Sequence, residues 1–132
     1  MATMSKPIVG GAVVERSRVT TGVVWTLQIL AAAMFLFAGF SKLAGEPVMV
    51  QEFAVIGLGQ WFRYLTGGIE VVSAVSLLIP SLAVYGAAAL AVTMVGAIIT
   101  HLTLIGGSPV PAFVLLIATA SIVWMRRGQL SR

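Results

Sequence analysis

The sequence predicts an all-α membrane protein with four transmembrane helices in an up-down bundle. Of its 132 residues, 59% are hydrophobic and 9% are charged, and the mean hydropathy is +1.06. A chain of this composition has too little polar surface to cover a soluble domain. Four apolar stretches are each long enough to cross the hydrocarbon core at about 1.5 Å per residue. Very short turns join the last three stretches, and such turns favour neighbouring antiparallel helices.

The predicted spans cover residues 22–41, 63–79, 82–105 and 110–125. Basic residues precede the first span, so a cleavable signal peptide is an alternative. Its apolar core is longer than the usual ~7 to 15 residues and has no clear small-x-small cleavage site, which favours a retained helix. Residues 1–21 have no sustained apolar period and are predicted to form a disordered tail, and residues 128–132 a second tail.

The connection between the first two spans contains its own helical pattern. Pro47 suits a first helical position, and Val50, Phe53 and Ala54 share a face directed away from Glu52. The pattern predicts a short helix that lies in the outer headgroup region of the membrane. An ordinary structured loop is the alternative.

The distribution of cations predicts the orientation of the bundle. One side carries only Lys42 and Arg63. The opposite side carries six cations: Lys6, Arg16, Arg18, Arg126, Arg127 and Arg132. The positive-inside rule therefore predicts a multi-pass protein with both termini in the cytoplasm.

Composition also excludes several kinds of chemistry. Without cysteine there is no disulfide, thiol nucleophile or cysteine-held iron–sulfur cluster, and one histidine excludes bis-histidine haem within the chain. We expect no metal site and no covalently bound cofactor. The net charge of +4 does not indicate nucleic-acid binding, because the basic residues lie at chain ends or beside apolar runs. Membrane lipid is the expected partner, through its anionic headgroups.

Glu70 is the first candidate functional residue, because it lies inside the second span. Its neighbourhood, RYLTGGIEVVSAVSLLI, otherwise suits hydrocarbon, and an ionised side chain at mid-bilayer costs at least ~2.5 to 3.5 kcal/mol. On a helix, the residues that share its face are mostly small, polar or cationic: Arg63, Thr66, Gly67, Ser73, Ala74 and Leu77. This face is predicted to point into the bundle, where Glu70 needs a partner or a proton.

Helix directions place three more ionisable residues near Glu70. Lys42 ends the first span, Arg63 begins the second, and His101 lies about one turn before the end of the third, so all three lie towards the outer face. Because side chains lean towards the N-terminus of their helix, Glu70 leans outward while Lys42 and His101 lean inward. The four groups are predicted to form one layer. Gln28, in the inner half of the first span, is expected to make an interhelical hydrogen bond instead.

Each of these residues has a purely structural alternative. Lys42 and Arg63 could be snorkelling anchors at span ends. His101 could be a core histidine that bonds a carbonyl or a threonine hydroxyl. Glu70 could pair with one cation to lock the helix register. A lock needs one pair, so the convergence of four groups favours a site.

Three segments carry a family resemblance: FLFAGFSKLAG at the end of the first span, RYLTGGIEVVSAVSLLIP in the second, and GAIITHL at the end of the third. They resemble the DoxX-like membrane proteins, small four-span bundles of bacterial and archaeal membranes. The likeness covers residues 24–127. Its matching positions are Gly39, Lys42, Gly67, Glu70 and His101. The resemblance implies a cytoplasmic (inner) membrane location.

The resemblance also implies a possible redox role. Some relatives are described as the membrane subunit of a thiosulfate:quinone oxidoreductase, and others are linked to membrane-associated thiol and oxidative-stress systems. Because this chain lacks cysteine and any recognisable cofactor motif, such a role would need a diffusible quinone or cofactors on a redox partner subunit.

The leading hypothesis is therefore a quinone-linked or partner-dependent redox subunit. Glu70 and His101 would be the catalytic residues that exchange protons with a quinone headgroup. Lys42 or Arg63 would bind the ligand and stabilise negative charge on its oxygen. The first alternative is a non-catalytic assembly or interaction module. The second is a carrier of a small solute or lipid, which would need a homo-oligomer because four spans make a thin wall.

Overall fold

The computed structural model describes residues 12–131, and these form helices joined by short turns, with no β-strand among them. The five α-helices are α1 (Ala12–Ala44), α2 (Pro47–Ile56), α3 (Trp61–Leu77), α4 (Ala83–Thr100) and α5 (Val110–Met125). A π-helical turn, His101–Ile105, continues α4, and a 3-10 helix, Arg127–Ser131, follows α5. The all-α prediction is confirmed.

The four long helices enclose one apolar core. α1 packs on α3, α3 on α4, α4 on α5, and α5 returns to α1. The centre is filled by side chains with no exposed surface, among them Phe35, Leu77, Leu90 and Ile122. α2 covers one end of the bundle and contacts α1, α3 and the π-helical turn.

The outward surface of the helices is also apolar. Phe37, Val72 and Val92 are 75%, 68% and 72% exposed. Two stretches, Arg18–Ala44 and Ala83–Ile105, are long and apolar enough to cross a membrane. A helix surface that is hydrophobic both inside and outside suits a lipid environment.

Glycines bring α3 close to the helices on either side. A Cβ atom added to Gly39 of α1 would lie 2.9 Å from the carbonyl oxygen of Gly67 on α3. One added to Gly86 of α4 would lie 2.7 Å from the carbonyl oxygen of Ser73. Because these neighbours are backbone atoms, only residues without a side chain permit such approaches. The first contact also brings Lys42 close to α3. A Cβ atom added to Gly67 would lie 3.0 Å from the Cβ atom of Lys42.

The chain ends differ from the sequence prediction. The disordered tail predicted for residues 1–21 is corrected for residues 12–21, which are the first part of α1; residues 1–11 lie outside the described part. A helix already nucleated by an apolar span extends at little cost through good helix formers such as glutamate and arginine. Within the predicted tail 128–132, the residues up to Ser131 belong to the 3-10 helix. There the Gln129 amide donates a 2.9 Å hydrogen bond to the Pro80 carbonyl.

The helix predicted between the first two spans is present, but its faces are not those predicted. α2 begins at Pro47 and ends at Ile56, and the following residue, Gly57, caps it with a φ of +85°. Phe53 is buried as expected, whereas Ala54 is exposed and Glu52 is half-buried. The reason is that α2 has protein on more than one side, so one amphipathic face does not describe it.

Candidate functional site

A buried ion pair joins α1 to α3. The Nζ atom of Lys42 lies 2.9 Å from Oε1 of Glu70, and the two side chains are 15% and 2% exposed. The predicted face of α3 is confirmed, because its buried residues include Glu70 and the small residues one turn away, whereas Val72 and Val75 are exposed. Among the described residues, Lys42 is the cation within ion-pair distance of Glu70.

The Lys42 ammonium contacts one oxygen of the Glu70 carboxylate, and no other described residue donates to this buried oxygen. A carboxylate has about four lone-pair sites, so the ion pair leaves it with capacity to accept further hydrogen bonds.

A cavity of about 290 Å³ lies beside this pair. α1, α2, α3, α4 and the π-helical turn all contribute to its walls. Most of the lining is apolar. Besides Lys42 and Glu70, the polar lining residues are Glu52, Thr66, Thr93, Thr100 and His101. An apolar concavity with a few convergent polar groups is the usual form of a small-molecule site.

Some residues that line the cavity on α3 and α4 are also exposed at the surface of the bundle. Leu65 and Ile69 of α3 line it and are also 46% and 39% exposed on the outside of the bundle. Gly96 of α4 lines it and is exposed as well. A ligand with an apolar body could therefore enter from the side of the bundle.

His101 is held in place by the wide turn that follows it. Its Nδ1 atom lies 2.8 Å from the carbonyl oxygen of Gly106. A carbonyl only accepts, so Nδ1 carries the proton and Nε2 of the neutral ring is an acceptor. The Gly106 amide in turn donates to the His101 carbonyl at 3.1 Å and closes the π-helical turn, a feature that often marks functional sites. The structural alternative of a carbonyl-bonded histidine is thus present, and the residue still lines the cavity.

Arg63 has a different environment from the other three predicted site residues. It is 5% exposed and donates to the Lys42 carbonyl at the end of α1 and, through Nε, to the Gln60 side chain at 2.7 Å. Its guanidinium carbon lies 4.3 Å from the centre of the Tyr64 ring. The last carbonyls of a helix lack intrahelical partners, and a buried cation is well suited to them.

The predicted layer of four groups is therefore corrected to three. Lys42, Glu70 and His101 line the same cavity, but Arg63 does not. We accordingly assign Arg63 to positioning the end of α1 and omit it from the ligand site.

Glu52, Thr93 and Thr100 line the cavity without being predicted as site residues. Glu52 is one of only four acidic residues in the chain, and an acid this rare in an apolar sequence could have indicated a functional position. Thr93 and Thr100 are seven residues apart, so they share a helix face that includes position 97. That spacing could have indicated a polar stripe directed at Glu70.

The opposite end of the bundle contains a second set of polar contacts and is called the closed end. There the fully buried Gln28 donates a 2.6 Å hydrogen bond to the Leu77 carbonyl and accepts one of 2.5 Å from Nε of Arg126. The Arg126 guanidinium also lies 5.4 Å from the Trp25 ring centre. The interhelical hydrogen bond predicted for Gln28 is confirmed. We call the half with Lys42, Glu70 and the cavity the cavity end.

Comparison with known proteins agrees with the sequence motifs. The family model of the DoxX-like family matches residues 26–125, a range that contains α2 to α5 and the whole cavity lining. No curated protein and no solved structure matches the chain.

Proposed function

This chain belongs to the DoxX-like family, and from that premise we propose that it is a four-span membrane subunit that binds a quinone headgroup in its cavity. The family and the apolar helices suggest a membrane protein. The single observation that carries the proposal is the cavity, in which an ammonium, a carboxylate and an imidazole line a largely apolar space.

In the proposed topology, α1, α3, α4 with its π-helical turn, and α5 each cross the bilayer. The 17 residues of α3 rise about 25 Å, which is near the lower limit for a span. Arg126 and Arg127 lie at the closed end, where Arg127 stacks 3.9 Å from the Trp124 ring centre, a typical interfacial pair. This end faces the cytoplasm with both termini, and the cavity lies in the outer half of a bacterial or archaeal cytoplasmic membrane.

The proposed chemistry assigns one role to each charged group. A quinone takes two electrons from a cofactor on a redox partner subunit and two protons, and leaves as the quinol. His101 and Glu70 deliver the protons, because both border the cavity and both bind protons reversibly. Lys42 stabilises the negative charge that develops on the quinone oxygen during reduction.

Quinone binding by the purified protein in lipid nanodiscs tests this proposal. A short-chain ubiquinone or menaquinone should bind the natural sequence, and Glu70→Gln and His101→Gln should each lower the affinity for its quinol form about tenfold or more, because the quinol hydroxyls donate to acceptors at these two positions. Glu46→Gln is the matched control, since Glu46 is exposed and does not line the cavity. Absence of quinone binding, or unchanged affinity in both cavity variants, would contradict the proposal.

A second candidate function is a non-catalytic assembly module in which the ion pair locks the helix register. The observation in its favour is that Lys42 lies directly beside the close glycine contact between α1 and α3. Exchange of the charges in Lys42→Glu with Glu70→Lys distinguishes the two functions. A register lock should regain thermal stability in the exchanged pair, whereas a quinone site should remain impaired because the ammonium has moved.

A further inference from the structure

We propose that the cavity selects ligands whose polar head donates hydrogen bonds, so that it binds a quinol more tightly than the corresponding quinone. This inference rests on the proposed quinone site and adds to it the redox state that the site prefers. It follows from the direction of the hydrogen bonds made by the polar lining.

The threonine hydroxyls of the cavity have already used their protons. Thr66 donates to the Phe62 carbonyl at 2.8 Å, and Thr93 and Thr100 donate to the carbonyls four residues earlier at 2.8 and 2.7 Å. A hydroxyl has one proton and two lone pairs. Towards a ligand, each of these oxygens can therefore only accept.

The ionisable lining residues show the same bias. Glu52 and Glu70 contribute two carboxylates, while the single ammonium of Lys42 lies against Glu70. The Nδ1 proton of His101 is directed at the Gly106 carbonyl, which leaves Nε2 of the neutral ring as an acceptor. The lining thus offers more acceptor atoms than free donor protons, and the free donors on its side chains are the remaining protons of the Lys42 ammonium.

A quinone and a quinol differ in the property that this lining distinguishes. The two oxygens of a quinone only accept, so they could use the free protons of Lys42 but would leave the other lining acceptors unpaired. Each oxygen of a quinol carries a proton that can be donated to the lining. Leaving buried polar groups unpaired costs more than a hydrogen bond gains, which makes the discrimination strong. Preferential binding of the quinol also makes the bound couple easier to reduce than the free couple.

A redox-inert pair of probes tests the selectivity without electron transfer. Hexylresorcinol presents two hydroxyl protons, and its dimethyl ether keeps the ring and tail but has none. The protein in nanodiscs should bind the diol at least about tenfold more tightly than the ether, as expected for one or two hydrogen bonds. Thr93→Val should reduce this preference about threefold or more, and Thr93→Ser should retain it.

Thr26→Val is the matched control. Thr26 makes the same bond to the carbonyl four residues earlier, at 2.7 Å, but does not line the cavity. Equal binding of diol and ether by the natural sequence would overturn the inference, as would a preference that Thr93→Val and Thr26→Val reduce equally.

Two further ligands separate this inference from the proposed function. Displacement of the diol by decylubiquinol supports both. Displacement by dodecylamine with no displacement by decylubiquinol would retain the donor-selective cavity and remove the quinone-linked function. If the quinone and the quinol displace the diol at equal concentrations, the inference is overturned and the proposed function stays intact.

Discussion

The two ends of the bundle use buried polar groups in different ways. At the closed end, both ends of the Gln28 amide are hydrogen-bonded, to the Leu77 carbonyl and to Arg126. The Gln129 amide nitrogen bonds the Pro80 carbonyl there, while its buried oxygen has no hydrogen-bond partner among the described residues. At the cavity end, the Glu70 carboxylate pairs with Lys42 and borders the cavity. The cavity there is large enough to hold several water molecules.

This difference indicates how stability and binding are separated in a small membrane protein. Satisfied polar groups fix the helix order, because an alternative packing would leave them unpaired. Partly satisfied groups around a cavity contribute less to the fold and remain available to a ligand. Four substitutions or pairs of substitutions test this separation, and their expected effects on stability decrease from the glycine contacts to Glu52.

The glycine contacts should give the largest effect. Gly86→Ala, whose Cβ would meet the Ser73 carbonyl oxygen, and Gly39→Ala, whose Cβ would meet Gly67, should each lower the free energy of unfolding in detergent by about 2 to 3 kcal/mol. Only Gly39→Ala should also weaken ligand binding, since it displaces α1 beside Lys42. Gly68→Ala, which has open space around it, is the control and should be neutral or stabilising. An equal loss of ligand binding in Gly39→Ala and Gly86→Ala would show that stability and binding are not separated between the two ends of the bundle.

Gln28→Leu should have the next largest effect. It leaves the Leu77 carbonyl and Arg126 without their buried partner, so the free energy of unfolding should fall by about 2 kcal/mol. Ligand affinity should be unchanged. Denaturant unfolding and titration of the same preparation measure both quantities, with Thr26→Val as an exposed control on the same helix. A loss of affinity larger than the loss of stability would show that the closed end takes part in binding.

Gly106→Ala should have a smaller effect that is confined to the cavity end. Gly106 has φ +70° and ψ −158°, a conformation almost restricted to glycine, so the substitution should cost about 1 to 2 kcal/mol. The strain should release the carbonyl that His101 bonds, and amide hydrogen exchange over residues 101–107 should accelerate. Gly22→Ala, in an open helical position, should leave this exchange unchanged. Uniform acceleration across the whole bundle would contradict the expectation.

Glu52→Gln should change stability least. Glu52 makes no ion pair with another described residue, so the free energy of unfolding should change by no more than about 0.5 kcal/mol. It lines the cavity, however, and affinity for a hydrogen-bond-donating probe should fall several-fold. Glu46→Gln, at the exposed start of α2, should change neither quantity. A stability loss without an affinity loss would assign Glu52 a structural role.

The buried face of α3 could be predicted because the signal is local. Helical periodicity alone groups Glu70 with Gly67 and Ser73, and the cost of a charge in hydrocarbon requires a partner. Lys42 could be predicted to lie near Glu70 for a similar reason, because helix direction fixes where its side chain leans.

The positions of Arg63 and Glu52 could not be derived in this way. Arg63 bonds the end of α1 because the chain turns there through Gly45 and brings the Lys42 carbonyl within reach. Glu52 lines the cavity because α2 folds back under the bundle. Both outcomes depend on the path of one connection in three dimensions, and residue periodicity carries no information about that path.

The hydrogen bond between the His101 imidazole and the Gly106 carbonyl depends on the number of residues in the π-helical turn after α4. A π-helical turn holds one residue more than an α-helical turn of similar rise, and here it spans His101–Ile105. Deleting one residue from it would let the turn close as a regular α-helix and carry Gly106 about 100° around the helix axis. His101 would remain anchored by α4, but its Nδ1 proton would lose its acceptor. Deletion of Leu102, Thr103 or Leu104 would therefore remove the hydrogen bond that fixes the tautomer of the imidazole and would leave every residue that lines the cavity in the chain.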